Sequence, residues 1–124
     1  MISPFLEALN ERVLVCDGGM GTMLYAQGVF INRSFDSLNL SDPARVVTVH
    51  EAYAQSGADV IETNTFGANR IKLRAFGLVD RLHEINHAGA RLAREGARDL
   101  AYVAGAMGPL GLRIEPWGRM GRDE

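Results

Sequence analysis

Apolar positions follow two rhythms along this chain. Three short runs are almost continuously apolar: Val13-Leu14-Val15-Cys16, Ala58-Asp59-Val60-Ile61-Glu62-Thr63 and Ala101-Tyr102-Val103-Ala104-Gly105-Ala106. Their length and content predict parallel strands covered on both faces. Between them, apolar residues recur at helical spacing. Val46, Val49, His50 and Tyr53 share one face, and Ser41-Asp42-Pro43 is the start signal, with an N-cap oxygen, an acid at the positive helix end and an early proline. Gly57 marks the stop. A short helix is predicted over 69–76, ended by Gly77. A longer one is predicted over 80–98, with Leu82, Ile85, Gly89, Leu92 and Gly96 on its inner stripe. Glycine inside a helix costs about 1 kcal/mol relative to alanine, so that stripe is expected to press closely on a sheet. His50, alone among apolar neighbours, reads as a packed core histidine. Strand, Gly-rich turn and helix, repeated, predict an α/β fold.

Composition narrows the class. The chain has 124 residues, enough for one domain and too few for two. A net charge of -2 gives no electrostatic reason to expect nucleic acid or an anionic membrane as partner. One cysteine forms no intramolecular disulfide and suits a reducing compartment. The opening MISPFLEALNER lacks the basic and apolar regions of a signal peptide, and no apolar run approaches the roughly 18 residues of a membrane span. A cytoplasmic location is expected.

The chemistry concentrates where the first run ends, in Cys16-Asp17-Gly18-Gly19-Met20-Gly21-Thr22. A phosphate loop would need Lys-Ser/Thr opening the helix, whereas Gly21 is followed by Thr22-Met23. The dinucleotide fingerprint also fails, because Leu24 stands where its third glycine belongs. A tight turn in which Asp17 caps the next helix is the plain alternative. Against it, Asp17, Glu62-Thr63-Asn64-Thr65 and Gly108-Pro109 all fall at C-terminal strand ends, where α/β folds build active sites. Acids there suit an ammonium, and amide and hydroxyl donors suit a carboxylate, so a small zwitterion is the expected ligand.

DGGMGTML, GADVIETNTFGANRIKL and GAMGPLG together resemble the start of the homocysteine S-methyltransferase family, in order and over almost the whole chain. GVFINRSFDSLNLSDPARV and RIEPWG are most similar to the bifunctional form fused to methylenetetrahydrofolate reductase; the N-terminal module of cobalamin-dependent methionine synthase is also similar. The resemblance implies a (β/α)8 TIM barrel, of which residues 1–124 would be the N-terminal portion, about three βα units, truncated in the loop after strand 3. It implies methyl transfer to homocysteine sulfur, giving methionine, with a thiolate activated by zinc. The three zinc cysteines would lie beyond Glu124, and a fused reductase would bring folate and flavin. By the same resemblance Asp17 would meet the homocysteine ammonium, with the amides of Gly18 and Gly19 nearby. Thr63, Asn64, Thr65 and Phe66 would line the adjoining wall. Glu62 is either a second pocket charge or a strand-end carboxylate bonded to backbone. Gly108 and Pro109 are expected to set shape. Cys16 is expected to be a small buried hydrophobe and no metal ligand.

Two other readings carry weight. His83-Glu84-Ile85-Asn86-His87 matches the HExxH motif of zinc hydrolases on a predicted helix, but Ala90 and Ala93 replace the residues of its extended form. Glu115 could serve as third ligand only from a terminal loop beside Pro116. The other reading is a non-catalytic half barrel, inactive alone, that binds the missing C-terminal part of the barrel.

Overall fold

Strand β1 (Val60–Glu62) pairs in parallel with β2 (Tyr102–Ala104), in register Val60 with Tyr102, Ile61 with Val103 and Glu62 with Ala104. This is seen in a computed structural model that describes residues 4–30 and 32–123. The predicted first strand lies along the other edge of β1 but makes a single parallel bridge, Cys16 to Val60. Asp59 cuts its ladder short. The Val15 N–H donates to the Asp59 carboxylate at 2.9 Å, while the N–H groups of Asp59 and Val60 share the Val15 carbonyl at 2.7 and 3.1 Å. Arg12 closes on the same carboxylate at 2.7 Å, and that hydrogen bond lowers the Asp59 pKa to about 2. The expected two-sided cover is absent among the described residues: Val13 is 85% and Val15 58% exposed. Cys16 is exposed as well, which corrects its reading as a buried hydrophobe; β1 is its only sheet neighbour.

Six helices surround this sheet among the described residues. Helix α1 (Pro4–Glu11), unforeseen in the sequence, sets Phe5 edge-on against Tyr102, with ring centroids 5.4 Å apart. Helix α2 (Met20–Ala26) follows the glycine motif, and α3 (Leu38–Ser41) leads into α4 (Pro43–Gln55). Asp42 is the cap of α4, accepting the Arg45 N–H, whereas Ser41 closes α3. The predicted short helix is α5 (Arg70–Arg74), with Asn69 accepting the Lys72 N–H at 2.9 Å. The predicted long helix is a 3-10 turn, Val79–Arg81, running into α6 (Leu82–Ala97). Gly57 and Gly77 stand at positive φ where the preceding helices stop.

The core lies between α4, α6 and the sheet. Val46, Val49 and His50 of α4 are fully buried, as are Ile85, Ala93 and Ala97 of α6, with Leu92 2% exposed. Both glycines of the α6 stripe sit at close approaches. A Cβ on Gly96 would lie 2.5 Å from His50 Cβ and 3.1 Å from the Val47 carbonyl oxygen. One on Gly89 would lie 2.5 Å from Thr65 Cγ2 and 2.8 Å from Asn39 Nδ2. The first approach joins the two helices; the second lowers α6 onto the segment that follows β1.

His50 is the core histidine its setting predicts. Neither ring nitrogen has a hydrogen-bond partner among the described residues, and burial lowers its pKa to about 4. Between about 6.5 and 4 the unfolded chain therefore binds a proton that the folded chain refuses. Stability should fall as pH drops through that window and be unaffected by His50 above it. Urea midpoints at pH 7.5 and 5 should show His50→Leu flattening this slope; an unchanged slope would assign it to other groups. Gly96→Ala should destabilise the fold by about 1–3 kcal/mol through overpacking, outweighing the helix-propensity gain of about 1 kcal/mol. A midpoint in urea at or above that of the parent would show that α4 and α6 part freely.

Candidate functional site

A cleft of ≈ 530 Å³ opens beyond the ends of β1 and the edge segment. Asp17 stands at its floor. The Asp17 N–H donates to the Val60 carbonyl at 2.9 Å, and its carboxylate accepts the Glu62 N–H at 3.1 Å. Asp17 thus fastens the edge segment to β1 and does not cap α2, whose N-cap is Gly19 without a side-chain bond. The glycines leave room for two aromatic side chains. A Cβ on Gly18 would lie 2.8 Å from the Tyr53 hydroxyl, which donates to the Gly19 carbonyl at 3.0 Å. A Cβ on Gly21 would lie 3.1 Å from the Phe35 ring.

The second wall is the continuation of β1. Thr63, Asn64 and Thr65 are 6%, 6% and 8% exposed and are tied into one network. The Thr63 and Thr65 hydroxyls lie 2.6 Å apart. Thr65 donates to the Ala106 carbonyl at 2.8 Å, and Thr63 accepts the Ala106 N–H at 2.9 Å. Asn64 Nδ2 donates to the Phe35 carbonyl at 2.9 Å and to Asn39 Oδ1 at 3.0 Å. Asn39 in turn donates to the carbonyls of Asn64 (2.8 Å) and Ile85 (3.1 Å). Thr63 and Asn64 line the cleft; Thr65 stands behind it. Phe66 lines it too and is 63% exposed, and a Cβ on Gly108 would meet the Phe66 carbonyl and ring.

Several lining residues carry no role in the sequence reading: Arg33, Phe35, Asp36, Lys72 and Phe76. Asp36 Oδ1 accepts the Gly67 N–H at 2.9 Å, which pins the 32–37 turn to the loop after β1. An acid in the polar turn between two helical patterns was its only sequence signal. Phe35, Phe66 and Phe76 give the cleft an apolar side.

Its electrostatics set it apart. Burial raises the Asp17 pKa to about 6, with the negative charge of Glu62 adding to the rise and the Glu62 N–H opposing it. Glu62 is exposed and lines the cleft beside Asp17. Burial also raises Asp36, against hydrogen bonds from Gly67, its own N–H and Ser34. None of the three acids forms an ion pair among the described residues.

Zinc does not fit the residues present. Among the described residues no three His, Cys, Asp or Glu side chains gather to hold a metal ion. His83 and His87 are exposed on the outer face of α6 with rings stacked at 6.5 Å, and Glu84 is paired with Arg81 at 2.6 Å. No described helix is long and apolar enough to cross a membrane.

Comparison with known proteins places this geometry. The homocysteine S-methyltransferase family model matches residues 14–122. The methionine synthase of Mycobacterium tuberculosis is 37% identical over 116 residues, covering 84% of this chain and 10% of that protein; that of Mycobacterium leprae is 36% identical over the same length. The oxidized form of the homocysteine methyltransferase MmuM from Escherichia coli superposes with a TM-score of 0.77 at 25% identity, covering 89% of this chain and 42% of that one. Its metallated form gives 0.76 at 24% identity, covering 88% and 42%. The chain therefore spans a tenth of those methionine synthases and under half of MmuM. With its motifs, strand-end cleft and superposition in agreement, the chain belongs to the homocysteine S-methyltransferase family.

Proposed function

We propose that this chain forms the homocysteine pocket of an enzyme that transfers a methyl group to homocysteine sulfur, and that its three parallel segments are the first strands of a (β/α)8 barrel. The observation that carries the reading is Asp17: a half-buried carboxylate on the floor of a partly apolar cleft, with no cation paired to it among the described residues. A negative charge so placed favours a bound ammonium, which offsets its desolvation. Glu62 supplies further negative potential at the same end of the cleft. Phe35, Phe66 and Phe76 offer apolar surface to the thiol-bearing side chain. The reaction forms a sulfur–carbon bond and breaks the bond between methyl and donor; the thiol proton leaves first, because the thiolate is the nucleophile. Zinc, the activator expected in such an enzyme, would be held by side chains other than the described ones.

Ionisation of Asp17 gives a sharp test. The ligand ammonium stays charged from pH 5 to 7.5, whereas the Asp17 carboxylate forms above about 6. Calorimetric titration should therefore show L-homocysteine binding tightening over that range. Asp17→Asn should remove the pH dependence and weaken binding at pH 7.5 by about tenfold. Equal affinity for 4-mercaptobutyrate, which lacks the ammonium, would sink the reading.

The same variant probes stability with the opposite sign. Because folding raises the Asp17 pKa, the folded chain holds a proton between about 3.8 and 6 that the unfolded chain releases. Stability from this group falls as pH rises through that window. Asparagine keeps an acceptor for the Glu62 N–H without the charge. Thermal unfolding should thus find Asp17→Asn more stable at pH 7.5, by about 1 kcal/mol once solvent screening is allowed for. Near pH 4 the gain should vanish.

A further inference from the structure

The floor of the cleft is fastened unevenly. Asp17 is held to β1 twice, by its N–H on the Val60 carbonyl and by the Glu62 N–H on its carboxylate. Gly18 and Gly19 come next and line the cleft, and their N–H groups have no partner among the described residues. Glycine has no side chain with which to anchor itself, and its backbone is the most conformationally free. Gly19 is also the cap of α2 and makes no side-chain cap bond. What this stretch presents to a ligand is therefore set by bonds made from behind.

Two hydroxyls make them, both on the Gly19 carbonyl. Thr22 donates at 3.2 Å from within α2, so it moves with that helix. Tyr53 donates at 3.0 Å from α4, 34 positions away. It is the one side chain of another element bonded to Gly18 or Gly19 among the described residues. Tyr53 does not line the cleft. Its ring packs against two buried clusters, that of Leu24, Val46 and Val49 and that of Ala54, Ile61 and Ala93. The core thus fixes the ring, and the ring delivers its hydroxyl to the underside of the glycine turn. Gly18 is shaped for it, because a Cβ there would lie 2.8 Å from the hydroxyl and 3.1 Å from the ring. The bond is exposed, so water could serve either group in its place. What the tyrosine adds is a fixed direction.

We propose that Tyr53 is a positioning residue for the substrate: its hydroxyl orients the Gly18–Gly19 backbone beside Asp17 and so sets the geometry of the floor on which homocysteine binds. The inference rests on the homocysteine reading above. Asp17 supplies charge at the ligand, whereas Tyr53 acts on it only through backbone. Ligand affinity is thereby tied to the packing of α4 against the core.

The test combines calorimetric binding of L-homocysteine with backbone 15N relaxation in the whole chain. Tyr53→Phe removes the hydroxyl and keeps the ring. It should weaken binding about fivefold, the worth of one directed hydrogen bond. The order parameters of Gly18 and Gly19 should fall with it. Ile85→Val is the control: it trims a buried side chain in the cluster with Ala68 and Leu73, away from the cleft lining. It should lower the melting temperature comparably while leaving affinity and both glycines as in the parent. If Tyr53→Phe loses its melting transition, Gly18→Ala is read instead. Its Cβ displaces the same hydroxyl, and a similar loss of affinity is expected. Parent-like affinity in the variant read, or an equal loss in Ile85→Val, overturns the proposal and leaves the homocysteine reading intact. No homocysteine binding by the parent chain overturns that reading, and this one with it.

Discussion

Asn39 is 1% exposed and directs its polar atoms inward: its amide nitrogen donates to the carbonyls of Asn64 and Ile85, and its oxygen accepts from Asn64. Through Asn64 the same network reaches the Phe35 carbonyl, and the adjacent Thr63 and Thr65 reach both backbone groups of Ala106. One buried lattice thus joins α3, α6, the end of β1 and the continuation of β2. Its members are costly to leave unpaired once they are out of water, so the elements are held in one arrangement or released together. Gly89 permits it, since a side chain there would collide with both Thr65 and Asn39. The cleft is the outer surface of this lattice, and its shape follows from bonds that no ligand makes.

That arrangement explains which parts of the molecule are readable from the residue order. Helix faces were legible because burial imposes a period on them. Val46, Val49 and His50 fall on the covered side of α4, and Ile85, Gly89, Leu92 and Gly96 on that of α6. The Asp42-Pro43 start and the Gly57 and Gly77 stops are local rules and held to within a residue or two. The 13–16 run misled because apolar content reports a capacity for burial, and no described partner covers Val13 or Val15. Its shortened ladder depends on the Asp59 carboxylate intercepting the Val15 N–H from 44 positions away, which no local pattern encodes. Asp17, Thr63 and Asn64, singled out by their place at strand ends, line the cleft, and Thr65 stands behind it. What the hydroxyls bond to was invisible, since Ala106 lies some forty residues further on.

Charge in the cleft is divided by the same construction. Asp17 and Asp36 each hold two elements together through a backbone N–H, Glu62 in one case and Gly67 in the other. Each is also pushed by burial toward its neutral form. A carboxylate in that position is a poor stabiliser of the empty protein and a good receptor for a cation. Asp59 shows the contrast: it is likewise bonded to a backbone N–H, but Arg12 accompanies it and its pKa falls. Burial dominates at Asp17, and the Arg12 hydrogen bond dominates at Asp59. Asp17 has no counter-charge paired with it among the described residues. Arg33 and Lys72 line the same cleft without an ion pair among the described residues. Two anchored segments, the 32–37 turn and the start of α5, carry those cations. The charge pattern of the cleft then follows from where the backbone is fastened as much as from the side chains themselves.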